Sequence, residues 1–311
     1  MDNIIFMGTP DFAVPALKTI HNSRHNICAV VTNPDKPAGR GRKLLPSAVK
    51  QTAEELDYPI IHPEKLNSQK FLDEIQLLNP SIMVVVAFKK LPTKLYNLAE
   101  HGAVNIHASL LPKFRGAAPI HHAILNGEKE TGVTTFQIND KIDTGKIISQ
   151  KKINIENGDT TGSLWTKLSN LGGDVILNTL DQFDTGNISF ISQEDSIATK
   201  APKIYPKDLL INWKDSALRI HNQIRAFSPK PGAYTHLNGK RIKLFSTQIS
   251  KLKEGNKMDI PGRIKKNKDK ITIMTGNGIL NVLEIQPEGK PRMDVKSYLL
   301  GNKINEEAIC Q

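Results

Sequence analysis

The chain has 311 residues, 39% of them hydrophobic and 23% charged, with a formal charge of +11; this is the balance of a soluble globular protein long enough for two cores. No apolar run approaches the roughly 20 residues of a membrane-spanning helix, and the first apolar stretch, residues 4–7, lacks the length and charged flank of a signal peptide. The only cysteines are Cys28 and Cys310, which excludes a disulfide framework and a thiolate metal site and suits a reducing cytoplasm.

In chain order, short apolar runs first alternate with longer mixed segments, the pattern of βα units on a mostly parallel sheet. Strands are expected at 4–7, 27–32, 82–87 and 103–107, and helices at 12–21, 47–56, 68–78 and 119–126. Two β-rich runs, 132–138 and 146–155, flank an Ile-Asp-Thr-Gly turn and read as antiparallel strands extending that sheet. A helix over 160–183 closes the α/β domain, residues 1–188; it carries Leu164, Leu168, Leu171, Val175, Ile176 and Leu180 at helical spacing. Periodicity then fades into Gly, Asn, Ser, Thr and Pro, which places a linker at 189–206. Residues 207–311 read as a smaller β-rich domain. One helix, 215–227, precedes short strands at 233–237, 242–247, 262–264, 270–275 and 278–286, a spacing that suits a small OB-like β-barrel. Residues 205–311 hold 20 Lys and Arg against 10 Asp and Glu, whereas the first 204 residues are nearly balanced at 22 against 21. Such asymmetry points to a polyanion partner, the plainer alternative being a solvated lysine-rich surface.

The sharpest local feature is Asn105-Ile106-His107 at the end of an apolar strand, followed by the loop Ala-Ser-Leu-Leu-Pro-Lys-Phe-Arg-Gly-Ala-Ala-Pro. Residues two apart on a strand share a face, so Asn105 and His107 point the same way at the carboxyl end, where open α/β sheets bind ligands. Asp143, in the Ile-Asp-Thr-Gly turn, is a third polar residue that a turn can deliver to the same cleft. An amide, an imidazole and a carboxylate without an obvious nucleophile suit direct acyl transfer between two substrates better than covalent catalysis. The Asn105 amide can donate to the oxyanion formed when an amine attacks a carbonyl; His107 can donate or relay a proton, and Asp143 can stabilise the imidazolium or accept a proton. Singly, each residue has a plainer role: an asparagine satisfying local backbone, a packed histidine, an aspartate building a turn.

The segments NIHASLLPKFRGAAPI and ETGVTTFQINDKIDTGKII resemble the folate-dependent formyltransferases. The opening IIFMGTPDFAVPAL and the loop NPDKPAGRGRKLLPSAVK narrow the resemblance to members of that family acting on methionyl-tRNA, and it continues more weakly through IRAFSPKPGAY to the C-terminal end. The resemblance implies a Rossmann-like formyltransferase domain followed by a β-barrel that helps bind tRNA, with Asn105, His107 and Asp143 catalytic. It implies transfer from 10-formyltetrahydrofolate to the amino group of initiator methionyl-tRNA. It also implies a folate site at Ser109, Leu110, Leu111 and Pro112, with the 84–88 stretch ending in Phe88 lining the pterin, and a basic tRNA loop carrying Lys36, Arg40, Arg42 and Lys43. The chain departs from the family at Ala87-Phe88-Lys89-Lys90-Leu91-Pro92, where Ala-Tyr-Gly and a longer run are usual. Gly8-Thr9-Pro10 is no Gly-x-Gly-x-x-Gly and no P-loop is present, so neither NAD nor ATP is expected. The nine histidines lack zinc-site spacing, so no metal is expected either. The expectation is a cytoplasmic monomer without membrane association. A formyltransferase acting on a sugar nucleotide, a formyl-folate hydrolase and a non-enzymatic tRNA-binding module are the alternatives.

Overall fold

Two units make up the computed structural model, which describes residues 1–38, 43–250, 260–302, 304–305 and 308–311. The first comprises Met1–Pro119, Glu130–Asn154 and Trp165–Pro202; the second comprises Ile120–Lys129, Ile155–Leu164 and Lys203–Gln311. Residues 189–202, which composition alone reads as connecting chain, thus lie within the first unit.

In chain order the elements up to Asp184 are β1 (Ile4–Gly8), α1 (Val14–His21), β2 (Ile27–Val31), β3 (Lys36–Ala38), β4 (Lys43–Leu45), α2 (Ala48–Glu55), β5 (Ile60–Ile61), α3 (Gln69–Leu77), β6 (Ile82–Val86), α4 (Thr93–Tyr96), β7 (Ala103–His107), α5 (Pro119–Leu125), β8 (Glu130–Gln137), β9 (Ile147–Asn154) and α6 (Thr161–Asp184). One sheet runs in the order β5-β2-β1-β6-β7-β8-β9. Its first five strands are parallel, and β8 and β9 extend it antiparallel beyond β7. β1 and β6 are buried at every position, as central strands covered on both faces must be. The connections diverge from the β1–β6 boundary, and the carboxyl ends of strands at such a switch point are the usual place for a ligand in an open α/β sheet.

The short strand β7 supplies the polar face. Ala103 is buried in the core formed with Phe71, Leu72 and Ile75 of α3 and Leu95 of α4. By strand alternation Asn105 and His107 face the same side as Ala103, and Ile106, buried, faces the other. α2 begins at Ser47, whose hydroxyl accepts the Lys50 N–H at 3.0 Å.

The second unit is built on α7 (Ala217–Ala226), β10 (Ala233–Leu237), β11 (Lys240–Ser250), β12 (Ile264–Lys266), β13 (Ile271–Met274), β14 (Ile279–Pro287), β15 (Met293–Asp294) and α8 (Val295–Gly301). Its antiparallel sheet runs β10-β11-β14-β13-β12, with β15 added to β14. Register shifts between Leu244 and Thr247 interrupt the β11–β14 ladder, and such irregularities bend a strand, so the small barrel takes the form of a curled half-barrel ending in β10 and β12. Ala217, Ile220 and Ile224 of α7 fill it, packed with Trp213, Phe227, Leu244, Leu280 and Val282. The Trp213 indole N–H finds an acceptor in Thr235 Oγ1 at 2.9 Å, as a buried indole requires.

The main elements lie within a few residues of the spans read from periodicity. The two-residue β5, the single turn of α4, the β3–β4 pair and α8 lacked enough length or pattern to be placed from sequence. Among the described residues no helix is long and apolar enough to cross a membrane.

Candidate active site

His107 closes β7 and is buried, with 6% of its side chain exposed. Its Nε2 lies 2.9 Å from the carbonyl oxygen of Phe114. A carbonyl only accepts, so Nε2 carries the hydrogen of this contact and Nδ1 is the ring nitrogen left for another partner. That Nδ1 faces Asp143 Oδ2 at 3.8 Å, too far for a hydrogen bond and near enough for the carboxylate to stabilise a proton arriving at Nδ1. Asn105, two residues earlier on the same face, is half-buried, and among the described residues its amide has no hydrogen-bond partner. It is therefore an uncommitted donor beside the imidazole.

Asp143 reaches this face by an indirect path. β8 runs antiparallel to β7, with Gln137 opposite Val104, so the segment after β8 leaves at the amino end of β7 and folds back along it to bring Asp143 to His107. Several local bonds fix that return. Ile138 packs on the core under α4, and the Asp140 carboxylate accepts hydroxyls from Thr93 at 2.6 Å and Tyr96 at 2.8 Å, which hold its carboxyl below the ordinary range. The Asn139 side-chain oxygen accepts Lys141 N–H and Thr144 O–H, each at 3.0 Å. Asp143 itself adopts φ +54°, an uncommon conformation for a residue with a side chain. A Cβ at Gly145 would lie 1.6 Å from the Gln137 carbonyl oxygen, so only glycine closes the turn. With this geometry Asp143 Oδ2 also accepts the Gly116 N–H at 2.8 Å, joining the turn to the loop after β7.

The residues predicted for folate lie beside these groups. Ser109, Leu110, Leu111 and Pro112 form one turn following His107, in which the Ser109 hydroxyl donates to Lys113 O at 2.6 Å. Thr134 Oγ1 of β8 donates to Ser109 O at 2.7 Å and accepts Leu111 N–H at 3.1 Å, while Gln150 of β9 donates to Leu111 O at 2.8 Å and to Thr134 Oγ1 at 2.9 Å. The Leu111 side chain packs on Phe136 and Ile147. Phe88 follows β6 and is partly buried against the core. Of the predicted tRNA residues, Lys36 and Lys43 lie in β3 and β4, and Arg40 and Arg42 lie outside the described residues.

Sequence reasoning missed Thr134, Gln150, Gln193 and Thr199. Gln193 donates to the carbonyl oxygens of Asp143 at 3.0 Å and Gly145 at 2.8 Å, and Thr199 Oγ1 accepts Phe114 N–H at 2.8 Å. Thr134 and Gln150 lay in strands with the expected alternation, but nothing in their neighbourhood distinguishes a hydroxyl or amide that braces a turn. Gln193 and Thr199 lie in the stretch read as a linker.

Chemically, the arrangement offers a free amide donor, a histidine with a defined open nitrogen and a carboxylate held close to it, all on one sheet edge. That set can stabilise an oxyanion and move one proton without a covalent intermediate.

A formyl transferase model matches residues 2–180, and a model of the formyl transferase C-terminal domain matches residues 203–303. The chain is 43% identical over 310 residues to a methionyl-tRNA formyltransferase of Caldanaerobacter subterraneus subsp. tengcongensis, with 99% of both chains covered. Among solved structures, an N-formyltransferase from Helicobacter canadensis in complex with folinic acid and dTDP-3-aminofucose superposes with a TM-score of 0.70 at 22% identity, covering 91% of this chain and 98% of that one. A methionyl-tRNA formyltransferase from Clostridium thermocellum superposes with a TM-score of 0.54 at 18% identity, covering 82% of this chain and 96% of that one. The two superpositions establish the fold alone. By the near-complete alignment at 43% identity and the two matching domain models, the chain belongs to the methionyl-tRNA formyltransferase family of one-carbon transferases.

Proposed function

We propose that the protein transfers the formyl group of 10-formyltetrahydrofolate to the α-amino group of initiator methionyl-tRNA, with Asn105, His107 and Asp143 as its catalytic residues. The reading rests most on one observation: His107 Nδ1 and Asp143 Oδ2 approach to 3.8 Å beside an Asn105 amide that has no partner among the described residues. The neutral amine attacks the formyl carbon, a C–N bond forms, and the carbonyl oxygen becomes an oxyanion that accepts the Asn105 N–H. The proton lost from the attacking nitrogen passes to His107 Nδ1, where the Asp143 carboxylate stabilises the imidazolium. The oxyanion then collapses, the bond from the formyl carbon to N10 of the folate breaks, the His107 imidazolium gives its proton to N10, and tetrahydrofolate and formyl-methionyl-tRNA are released. General acid-base help of this kind contributes typically about 10² to 10⁴ in rate.

The Ser109–Pro112 turn and Phe88 take the folate in this reading. The basic loop carrying Lys36, Arg40, Arg42 and Lys43, together with the second unit, takes the tRNA. Arginine suits phosphate and unpaired bases alike, through its planar fork of donors and its stacking face. The reaction needs no metal, and the protein works as a cytoplasmic monomer. Incubation with 10-formyltetrahydrofolate and, in turn, charged initiator tRNA, free methionine, a sugar nucleotide or water alone tests the assignment. Formylation of the charged tRNA only is expected. Equal consumption of the folate without tRNA points instead to a hydrolase, and preferential formylation of the sugar nucleotide to the other transferase class.

A further inference from the structure

The segment following α6 returns to the catalytic loops and is fastened to both. Ile191 exchanges two backbone hydrogen bonds with Ile147, each 2.8 Å, where β9 begins. Further on, Arg115 N–H donates to Thr199 O at 2.9 Å and Ala201 N–H donates to Arg115 O at 2.7 Å. Gly116 sits at φ +130°, and its missing Cβ lets the Ala201 carbonyl approach where that atom would be 2.5 Å away. Gln193 lies between these two attachments, and its amide uses both ends. Nε2 donates to the carbonyls of Asp143 and Gly145, and Oε1 accepts Arg115 Nε–H at 2.9 Å.

We propose, resting on the catalytic reading of Asp143, that Gln193 is a positioning residue that locks the Asp143 turn to the Arg115 loop and so aims the carboxylate at His107. Three features carry the inference. Asp143 holds a left-handed conformation that a residue with a side chain keeps only where its surroundings impose it, and Gln193 grips the carbonyl of that very residue. The carboxylate's own bond runs to Gly116 N, the neighbour of Arg115, so Gln193 and the carboxylate join the same two pieces of chain and support each other. The Arg115 guanidinium has one nitrogen on the exposed Asp195 and another, Nη2, buried without a hydrogen bond, which leaves Gln193 Oε1 as the acceptor that orients its inner edge. Only a side chain with a donor and an acceptor at this length satisfies both sides.

Steady-state kinetics of Gln193→Met, Gln193→Glu, Asp143→Asn and Gln193→Met combined with Asp143→Asn test the proposal. Methionine keeps the length and loses both bonds; glutamate keeps the acceptor for Arg115 and loses the donor to the two carbonyls. Both single variants at 193 should lower kcat by roughly 10²-fold, the usual cost of misplacing a reacting group by about 1 Å, with KM for folate and tRNA within about twofold of the parent and the overall fold retained by circular dichroism. In the Asp143→Asn background the methionine variant should cost nothing further, because groups acting as one unit are non-additive. Parental kcat in Gln193→Glu, or losses that multiply in the double variant, overturn the positioning role alone. Parental kcat in Asp143→Asn overturns the catalytic reading beneath it and this inference with it.

Discussion

The turn that carries Asp143 and the β3–β4 hairpin are both excursions from the first unit's sheet, and among the described residues their attachments differ. The turn is held along its length: by Thr93 and Tyr96 at Asp140, by the Asn139 side chain, by Gln193 at two carbonyls and by the Gly116 N–H at the carboxylate. Among the described residues, the hairpin's attachments lie at its root, where Asn33 donates to Thr9 Oγ1 at 2.9 Å and Lys50 pairs with Asp35 at 2.8 Å, an ion pair that keeps the Lys50 ammonium above its ordinary range. Leu44 and Leu45, by contrast, are 66% and 52% exposed. The difference teaches where each kind of attachment belongs. On the roles proposed above, a proton transfer at the turn would lose rate when its groups are misplaced by about 1 Å, whereas a grip on a polyanion at the hairpin would work through charge at longer range.

The contrast breaks most visibly at the turn. Gly145→Ala forces a Cβ into the Gln137 carbonyl and should cost roughly 10²-fold in kcat with the overall fold retained by circular dichroism. Gly158→Ala, where nothing lies within 4 Å, is the matched control and should be silent. Next in size is Thr134→Val, which strips the hydroxyl from Ser109 O, Leu111 N and Gln150. Leaving buried partners unpaired costs about 1–3 kcal/mol, so KM for the folate should rise by about tenfold while KM for tRNA stays put. A rise in KM for tRNA alone would show that the Ser109–Pro112 turn serves the other substrate.

At the hairpin the effects should be smaller and of a different kind. Arg40→Ala or Arg42→Ala should each reduce the slope of log affinity for tRNA against log salt by about 1, the loss of one phosphate contact, and leave single-turnover chemistry at saturating tRNA nearly intact. An unchanged salt slope would remove these arginines from the interface. The smallest effect is expected in the second unit. His121 packs on Phe227, and burial, with His122 adding to it, pushes its imidazole down from 6.5 to about 4. A neutral histidine in the fold against an ordinary one in the unfolded chain stabilises fully above pH 6.5, and that stability is lost as pH falls towards 4. The denaturation midpoint of the parent should therefore drop more steeply than that of His121→Phe across this window; parallel curves would mean that His121 titrates ordinarily.

How much of this was legible in the sequence follows from the range of each interaction. Asn105 and His107 could be placed together because a strand's period is local, and the parallel sheet because its buried strands are continuous apolar runs such as Ile-Met-Val-Val-Val in β6. Asp143 could be nominated from its turn, but its path could not: only the pairing of Gln137 with Val104 reveals that the chain must double back over β7. Gln193 was invisible because its partners lie 50 and 78 residues away and its own surroundings, rich in Ser, Asp and Thr, look like connecting chain. β5 has two residues and α4 has four, too few for any period to register.

The most direct measurement is the single-turnover rate of formyl transfer to charged initiator tRNA by Asn105→Ala and His107→Ala, with tRNA affinity measured on the same samples. Removal of an oxyanion donor of this type costs typically about 10²–10³ in rate, so both variants should lose at least that much while binding tRNA as tightly as the parent. Near-parental rates in both would contradict the chemistry assigned to the end of β7.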